Sequence, residues 1–340
     1  MAPIEILKFP ISSPADISPL RGLQDAGYSA SQILAVVGKT EGNGCVNDFS
    51  RTLASTVWES QIPADAITIF SGGTEGVLSP HVTFFLRSTD DKETGLSAVV
   101  GHTRSFDPHE IGTEEQARQV AATTKELVAQ LNATSDQVHL VLIKCPLLTS
   151  AKLEVIRAQG KTPVTTDTYE SMAKSRYTSA VGIAAALAEI QEADIPAAVS
   201  AGQTWSAKAS CSSGAELEDC HILVLASTPS TDSHLHAVSR PMSDAIDASS
   251  ILALMDEAKE KDGKIVQVFA KAEADPTGQV RGCRHTMNTD SDIHSTRHAR
   301  AAVGGLIAGL VSDTQVYVSG GAEGQGPSGG GSLCLVYRTS

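Results

Sequence analysis

The chain has 340 residues, 41% hydrophobic and 19% charged, which excludes a disordered protein and leaves room for two or three core-forming units. A formal net charge of −13 argues against general binding to nucleic acid or to anionic membranes, while leaving a locally cationic pocket open. No apolar run approaches the roughly 18 to 20 residues of a membrane helix, and the N-terminal MAPIEILKFPISSP has none of the features of a signal peptide. The six cysteines are scattered, without a CxxC pair, and fit a reduced, cytoplasmic protein.

Taken in order, a first unit is expected over 1–104. Its strands are ILAVVGKTEG (33–42), AITIFSGG (66–73), HVTFFLRS (81–88) and LSAVVGHTR (96–104), with helical FSRTLASTVWESQI between the first two. FDPHEIG reads as a linker because Pro108 and Gly112 break regular structure. A second unit, 112–250, opens with a helix over 114–131 and continues with the strand VHLVLIKCP (138–146). A small-residue helix (175–191) and the strand runs 212–227 and 235–242 complete it. A third unit, 254–340, is introduced by helical SDAIDASSILALMDEAKEK (243–261), with Ser or Asp available as N-cap. The strand KIVQVFAKAEA (264–274), the helix ARAAVGGLIAGLV (299–311), TQVYVSGGAEG and LCLVYRTS follow.

One arrangement recurs in all three units. A strand-borne lysine (Lys39, Lys144, Lys271) comes first, then an arginine near a helix (Arg51, Arg176, and Arg297 or Arg300), then a serine followed by small residues. The serine copies are SGGTEG at Ser71, SSGAEL at Ser212 and SGGAEG at Ser319. Spacing favours Arg300, 19 residues before Ser319 where Arg51 lies 20 before Ser71, whereas the local Ser/Thr-Arg pattern favours Arg297.

Small residues at a strand end let backbone N–H groups approach a ligand, so Ser71/Gly72, Ser212/Ser213 and Ser319/Gly320 can cradle three oxygens. Glu41 and Glu273 stand two positions after Lys39 and Lys271, on one strand face, and are expected to hold those lysines protonated. Lys144 has no acid at that offset, so it is expected to serve as the neutral base for Ser212. The pocket is expected to suit a small planar ring rich in carbonyl oxygens, and the reaction it implies is opening of a cyclic amide or imide through an acyl-enzyme.

VVGKTEGNGCVNDFSR, SGGTEGVLSPH, KCPLLT, TTDTYESMAKSR, PMSDAIDA, FAKAEA, RGCRHTMNTDSDIHSTRHAR and VYVSGGAEGQGPSGGG together resemble the cyanuric acid hydrolase/barbiturase family of ring-opening amidohydrolases, over nearly the whole chain. The resemblance implies an α+β fold of three concatenated homologous units with pseudo-threefold symmetry around a central β-barrel, helices outside. It also implies a Ser–Lys dyad in each unit, with catalysis by Ser212 and Lys144. Arg51, Arg176, Arg300, Lys39, Lys271 and the three serine turns then bind substrate. Cyanuric acid is the expected substrate, opened to carboxybiuret, with barbituric acid as the alternative. A homotetramer and a structural divalent cation, Mg²⁺ or Ca²⁺, are implied as well, the cation on Glu273, Ala322, Gln325, Gly326, Pro327 and Gly330.

Two other chemistries carry less weight. His294 and His298, with Asp290 and Asp292 upstream, mimic a zinc site but offer no metalloprotease base between them. Cys211 neighbours Ser212 on a strand and therefore faces the other way.

Overall fold

A computed structural model describes residues 3–88, 94–228 and 233–340. The first sheet contains β1 (Ile4–Pro10), β2 (Ile33–Lys39), β3 (Ile67–Ser71) and β4 (His81–Arg87), with helices α1 (Pro19–Asp25) and α2 (Phe49–Glu59). The second contains β5 (Leu96–His102), β6 (Val138–Pro146), β7 (Ala209–Gly214) and β8 (His221–Ser227). Its helices are α3 (Glu114–Gln130), α4 (Ser150–Ala158), α5 (Thr168–Ala186) and α6 (Ile195–Ala201).

The third sheet contains β9 (Leu235–Met242), β10 (Lys264–Ala272), β13 (Tyr317–Gly320) and β14 (Gly331–Arg338), with α7 (Ala248–Lys259) and α8 (Ser295–Val311). A two-stranded ribbon, β11 (Gln279–Val280) and β12 (Cys283–Arg284), stands apart. Strand order is the same in every four-stranded sheet: first, fourth, second, third, with the second and third parallel.

The sheets begin one strand earlier than the unit boundaries drawn from sequence. The strand at 96–102 pairs with β8, in the second sheet, and the strand at 235–242 pairs with β14, in the third. Hydrophobic patterning identifies a strand but not its partner, so the boundaries at 104 and 250 do not match the sheets.

Side chains alternate across each sheet. One face of all three packs into a shared central core, including Ile6, Ile69, Leu142, Leu225, Phe269 and Val336. The other faces pack against helices, Trp58 of α2 under the first sheet, Ile183 of α5 under the second and Val303 of α8 under the third. Strands covered on both sides read as continuous apolar runs, as β2 and β3 do. The closed central barrel expected from the resemblance is not found among the described residues. Among the described residues the sheets meet through side chains, with a lone β-bridge between Pro3 and Ser97.

Capping fixes where the helices start. Asp48, Thr113, Thr149, Asp167 and Asp247 each accept a backbone N–H from the first turn of α2, α3, α4, α5 and α7. Asp167 starts α5 at Thr168, so Arg176 sits well inside a helix, where sequence reading placed it at the beginning. Among the described residues no helix is long and apolar enough to cross a membrane.

Candidate active site

The inward face of each central strand pair ends on the recurring residues. Along β6 the inward side chains are Leu140, Leu142 and then Lys144, and along β3 they are Ile67, Ile69 and then Ser71. The parallel registers set Lys39 opposite Ser71, Lys144 opposite Ser212 and Lys271 opposite Ser319. All three pairs are buried. They close one end of the central core, where Arg51, Ser71, Gly72, Lys144, Arg176, Ser212, Ser213, Arg300, Ser319 and Gly320 line one pocket with Gly44, Tyr169, Met172 and Thr296.

The arginines come from helices of one sheet and reach the serine turn of another. Arg51 of α2 donates to the Ser213 carbonyl at 3.2 Å and to that of Cys45 at 2.6 Å. Arg176 of α5 forks onto Glu323 at 2.8 and 2.7 Å. Arg300 of α8 donates to the Gly72 carbonyl at 3.1 Å and pairs with Glu75. Arg300 therefore occupies the third arginine position, and Arg297 does not line the pocket. Gly72 is required by close approach, since a Cβ there would lie 2.0 Å from the Asp48 carboxylate.

The lysines also reach across sheets. Lys144 donates to the Phe70 carbonyl in β3 and Lys271 to the Cys211 carbonyl in β7, each at 2.6 Å, while Lys39 donates to the Gly72 carbonyl at 3.1 Å. Lys271 is hydrogen-bonded to its serine, Nζ to Ser319 Oγ at 3.1 Å. The Ser212 hydroxyl donates to the Ile143 carbonyl at 3.4 Å. Ser213, the neighbouring hydroxyl, faces away and accepts from Arg176 at 3.3 Å. Tyr317, buried, is set against both Ser212 and Ser319.

The ion pairs expected from strand spacing are not the ones that form. β2 ends at Lys39 and β10 at Ala272, so the alternation that would align Glu41 and Glu273 with the lysines stops too soon. Instead Lys144, expected to lack a carboxylate, lies 3.4 Å from Glu216. The Glu216 carboxylate is itself buried, and Lys144 is its nearest charged partner. Burial opposes the charge on Glu216, but Lys144 and then Arg51 hold its carboxyl below the ordinary glutamate range.

Burial lowers all three lysines. Lys39 falls to about 7, helped by Arg300, and Lys271 to about 7, helped by Arg176. Lys144 falls to about 8, with Glu216 resisting the drop.

Glu75, Glu216 and Glu323 were missed as site residues. Each stands four after the serine in SGGTEG, SSGAEL and SGGAEG, so the signal was in the repeat itself.

The residues expected to hold a divalent cation meet in the turn after β13. Glu273 accepts the Gly329 N–H at 3.3 Å, and its carboxyl is pushed up to about 7 by burial and then by the Glu323 carboxylate. A carboxyl whose lone charge burial disfavours in this way fits a hard cation. The carbonyls of Ala322 and Pro327 each accept one N–H, from Gln325 and Gly330, and keep a second lone pair. The Gln325 side-chain oxygen accepts the Cys211 N–H, so this residue has only its main-chain carbonyl to offer, in line with Gly326 and Gly330.

His294 and His298 do not converge. His294 caps α8 and lies against Tyr169, while His298 pairs with Asp290 at 2.9 Å. Cys211 is buried with its thiol pushed well up by burial, and all six cysteines are free.

Comparison with known proteins places this geometry. Residues 5–338 match the model of the amidohydrolase ring-opening protein family. A cyanuric acid amidohydrolase from Sarocladium sp is 81% identical over 340 residues, covering all of both chains. Another from Pseudonocardia dioxanivorans is 54% identical over 344 residues, also covering all of both, and one from Pseudomonas sp. strain ADP is 43% identical over 359, covering 98% of this chain and 99% of that one. A solved cyanuric acid hydrolase superposes with a TM-score of 0.92 at 43% identity, over 99% of this chain and 100% of its own. That from A. caulinodans gives 0.91 at 39% identity over the whole of both chains.

Proposed function

This chain belongs to the ring-opening amidohydrolase family, and from that premise we propose that it hydrolyses cyanuric acid. The observation that carries the reading is the pocket, where three serines, three arginines and Lys144 face a space suited to a ring with three carbonyls and three N–H groups, with Lys39 and Lys271 buried opposite their serines outside the lining. Barbituric acid, in which CH₂ replaces one N–H, is the alternative, and none of the relatives named above supports it.

In the proposed reaction Ser212 Oγ attacks a ring carbonyl carbon while neutral Lys144 takes the hydroxyl proton. The tetrahedral intermediate collapses, the ring C–N bond breaks, and the Lys144 ammonium gives its proton to the departing nitrogen. Water then attacks the acyl-enzyme, with Lys144 again the base, and frees Ser212 and carboxybiuret. Loss of CO₂ from that product leaves biuret. Backbone N–H groups at the serine turns, with Lys39, Lys271 and the arginines, hold the remaining oxygens and the charge that develops on them.

Burial lowers all three lysines alike, so burial does not select the base. Glu216 selects it. Lys144 becomes an ammonium when it takes the serine proton, and a carboxylate 3.4 Å away stabilises that state. Glu75 and Glu323 are spent on Arg300 and Arg176.

The three sheets of identical strand order are proposed to be concatenated homologous units about a pseudo-threefold axis. A divalent cation, Mg²⁺ or Ca²⁺, is proposed on Glu273 and the carbonyls of Ala322, Gln325, Gly326, Pro327 and Gly330, where it would neutralise Glu273 and brace the turn beside Ser319. A homotetramer is proposed from the family resemblance alone. Six free cysteines accord with a cytoplasmic setting.

The test is to mix the purified protein with cyanuric or barbituric acid and follow loss of each ring's ultraviolet absorbance. Loss of cyanuric acid alone is expected. Loss of barbituric acid alone would transfer the assignment to that ring, and turnover of neither would end the reading.

A further inference from the structure

Away from the pocket, a cavity between α2 and the start of β8 gathers a second set of chemically able side chains. His102 ends β5, Asp219 lies in the turn before β8 and His221 begins β8, and all three line it together with Glu59 and Glu218. One ligand atom from each of His102, Asp219 and His221 lies within 4.8 Å of the others, a grouping unique among the described residues. Asp219 Oδ2 is 3.0 Å from His102 Nδ1, and its Oδ1 is 3.4 Å from His221 Nε2. The two rings meet edge to face at 4.4 Å.

Hydrogen bonding assigns the protons. His221 Nδ1 lies 3.3 Å from the Thr68 carbonyl, which can only accept, so Nδ1 carries hydrogen. Nε2 is then the ring atom that faces Asp219 Oδ1. A histidine that donates its other N–H to a backbone carbonyl is the usual arrangement at a bound metal. Two ligands at about 2.1 Å from one ion stand roughly 3.0–3.5 Å apart, as these do.

Imidazoles with one carboxylate suit zinc-class ions over Mg²⁺ or Ca²⁺, which prefer all-oxygen sets. Glu59 and Glu218 add negative charge to the lining, and the His102 side chain is 43% exposed, which leaves an entry path.

We propose that His102, Asp219 and His221 form a binding site for a divalent transition-metal ion of the zinc class, with water completing its coordination. The site is separate from the oxygen-lined turn at Glu273. Asp219 follows Glu216 by three residues in the same turn, so a bound ion pins the segment that sets Glu216 against Lys144.

The experiment is calorimetric titration of zinc sulfate into full-length, chelator-stripped protein held in excess Mg²⁺ to occupy any oxygen site. One equivalent is expected to bind. His102→Ala and Asp219→Asn should each weaken binding by more than ~100-fold, beyond the roughly 10- to 100-fold cost of losing an outer hydrogen bond. His298→Ala, which breaks only the pair with Asp290, should change nothing. X-ray absorption on the zinc-loaded wild type, which needs no variant, should show two imidazole ligands. Absence of binding, an affinity unchanged in His102→Ala and Asp219→Asn, or a zinc shell without imidazole would overturn the proposal and leave a hydrogen-bonded His–Asp–His cluster.

Discussion

The second and third sheets carry the same residues at the same registers and use them differently. In the third, Lys271 is hydrogen-bonded to Ser319 at 3.1 Å, and Glu323, four residues after that serine, is committed to Arg176. In the second, Glu216 lies 3.4 Å from Lys144 and the Ser212 hydroxyl points to a carbonyl of its own sheet. One glutamate is directed at a lysine in one turn and at an arginine in the other, and under the proposed mechanism that difference separates a base from a binding group.

The sharpest way to break that comparison is to remove each dyad in turn. Lys144→Ala and Ser212→Ala should each lower kcat by about 10⁴-fold or more, because nucleophile and base act as a unit. Lys39→Ala should act mainly through KM, and Ser213→Ala should keep most of the activity because its hydroxyl faces Arg176. Near-normal turnover in Lys144→Ala together with its loss in Lys39→Ala would reverse the assignment.

A smaller effect sharpens the comparison through pH. The rate should rise with pH as Lys144 loses its proton near about 8, because the base is the neutral amine. Glu216 raises the Lys144 pKa against burial, so Glu216→Gln should move that rise to lower pH and reduce kcat by roughly 10²-fold. Glu323→Gln should leave the midpoint of kcat/KM in place. A midpoint that moves equally in both variants would remove the distinction between the turns.

The smallest effect concerns the third arginine. Arg300→Lys keeps the charge but loses the planar fork, and should raise KM by about 10-fold, read from initial rates. Arg297→Lys should stay within about 2-fold, as expected of a side chain outside the pocket.

Much of this was legible before any coordinates. The strands at 138–146 and 235–242 begin and end where their apolar runs do. The order Lys, Arg, Ser brought the three serines, three arginines and Lys144 to one pocket and set Lys39 and Lys271 opposite their serines, because recurrence in sequence became recurrence in register. What was not legible depended on partners. Pairing moved β5 and β9 into sheets that local pattern could not name. The run 212–227 read as one strand, yet it breaks into β7 and β8 around the turn that carries Glu216. The two-residue offset between lysine and acid presumed strands that continue past Lys39 and Lys271, and they stop.

The arginines have one more consequence. Arg51 fastens the turn of the second sheet, Arg176 that of the third and Arg300 that of the first, so custody of the pocket passes around a ring. No sheet owns a finished site, and none can be loosened without withdrawing an arginine from a neighbour's turn. The pocket is therefore expected to assemble only when all three sheets are in place.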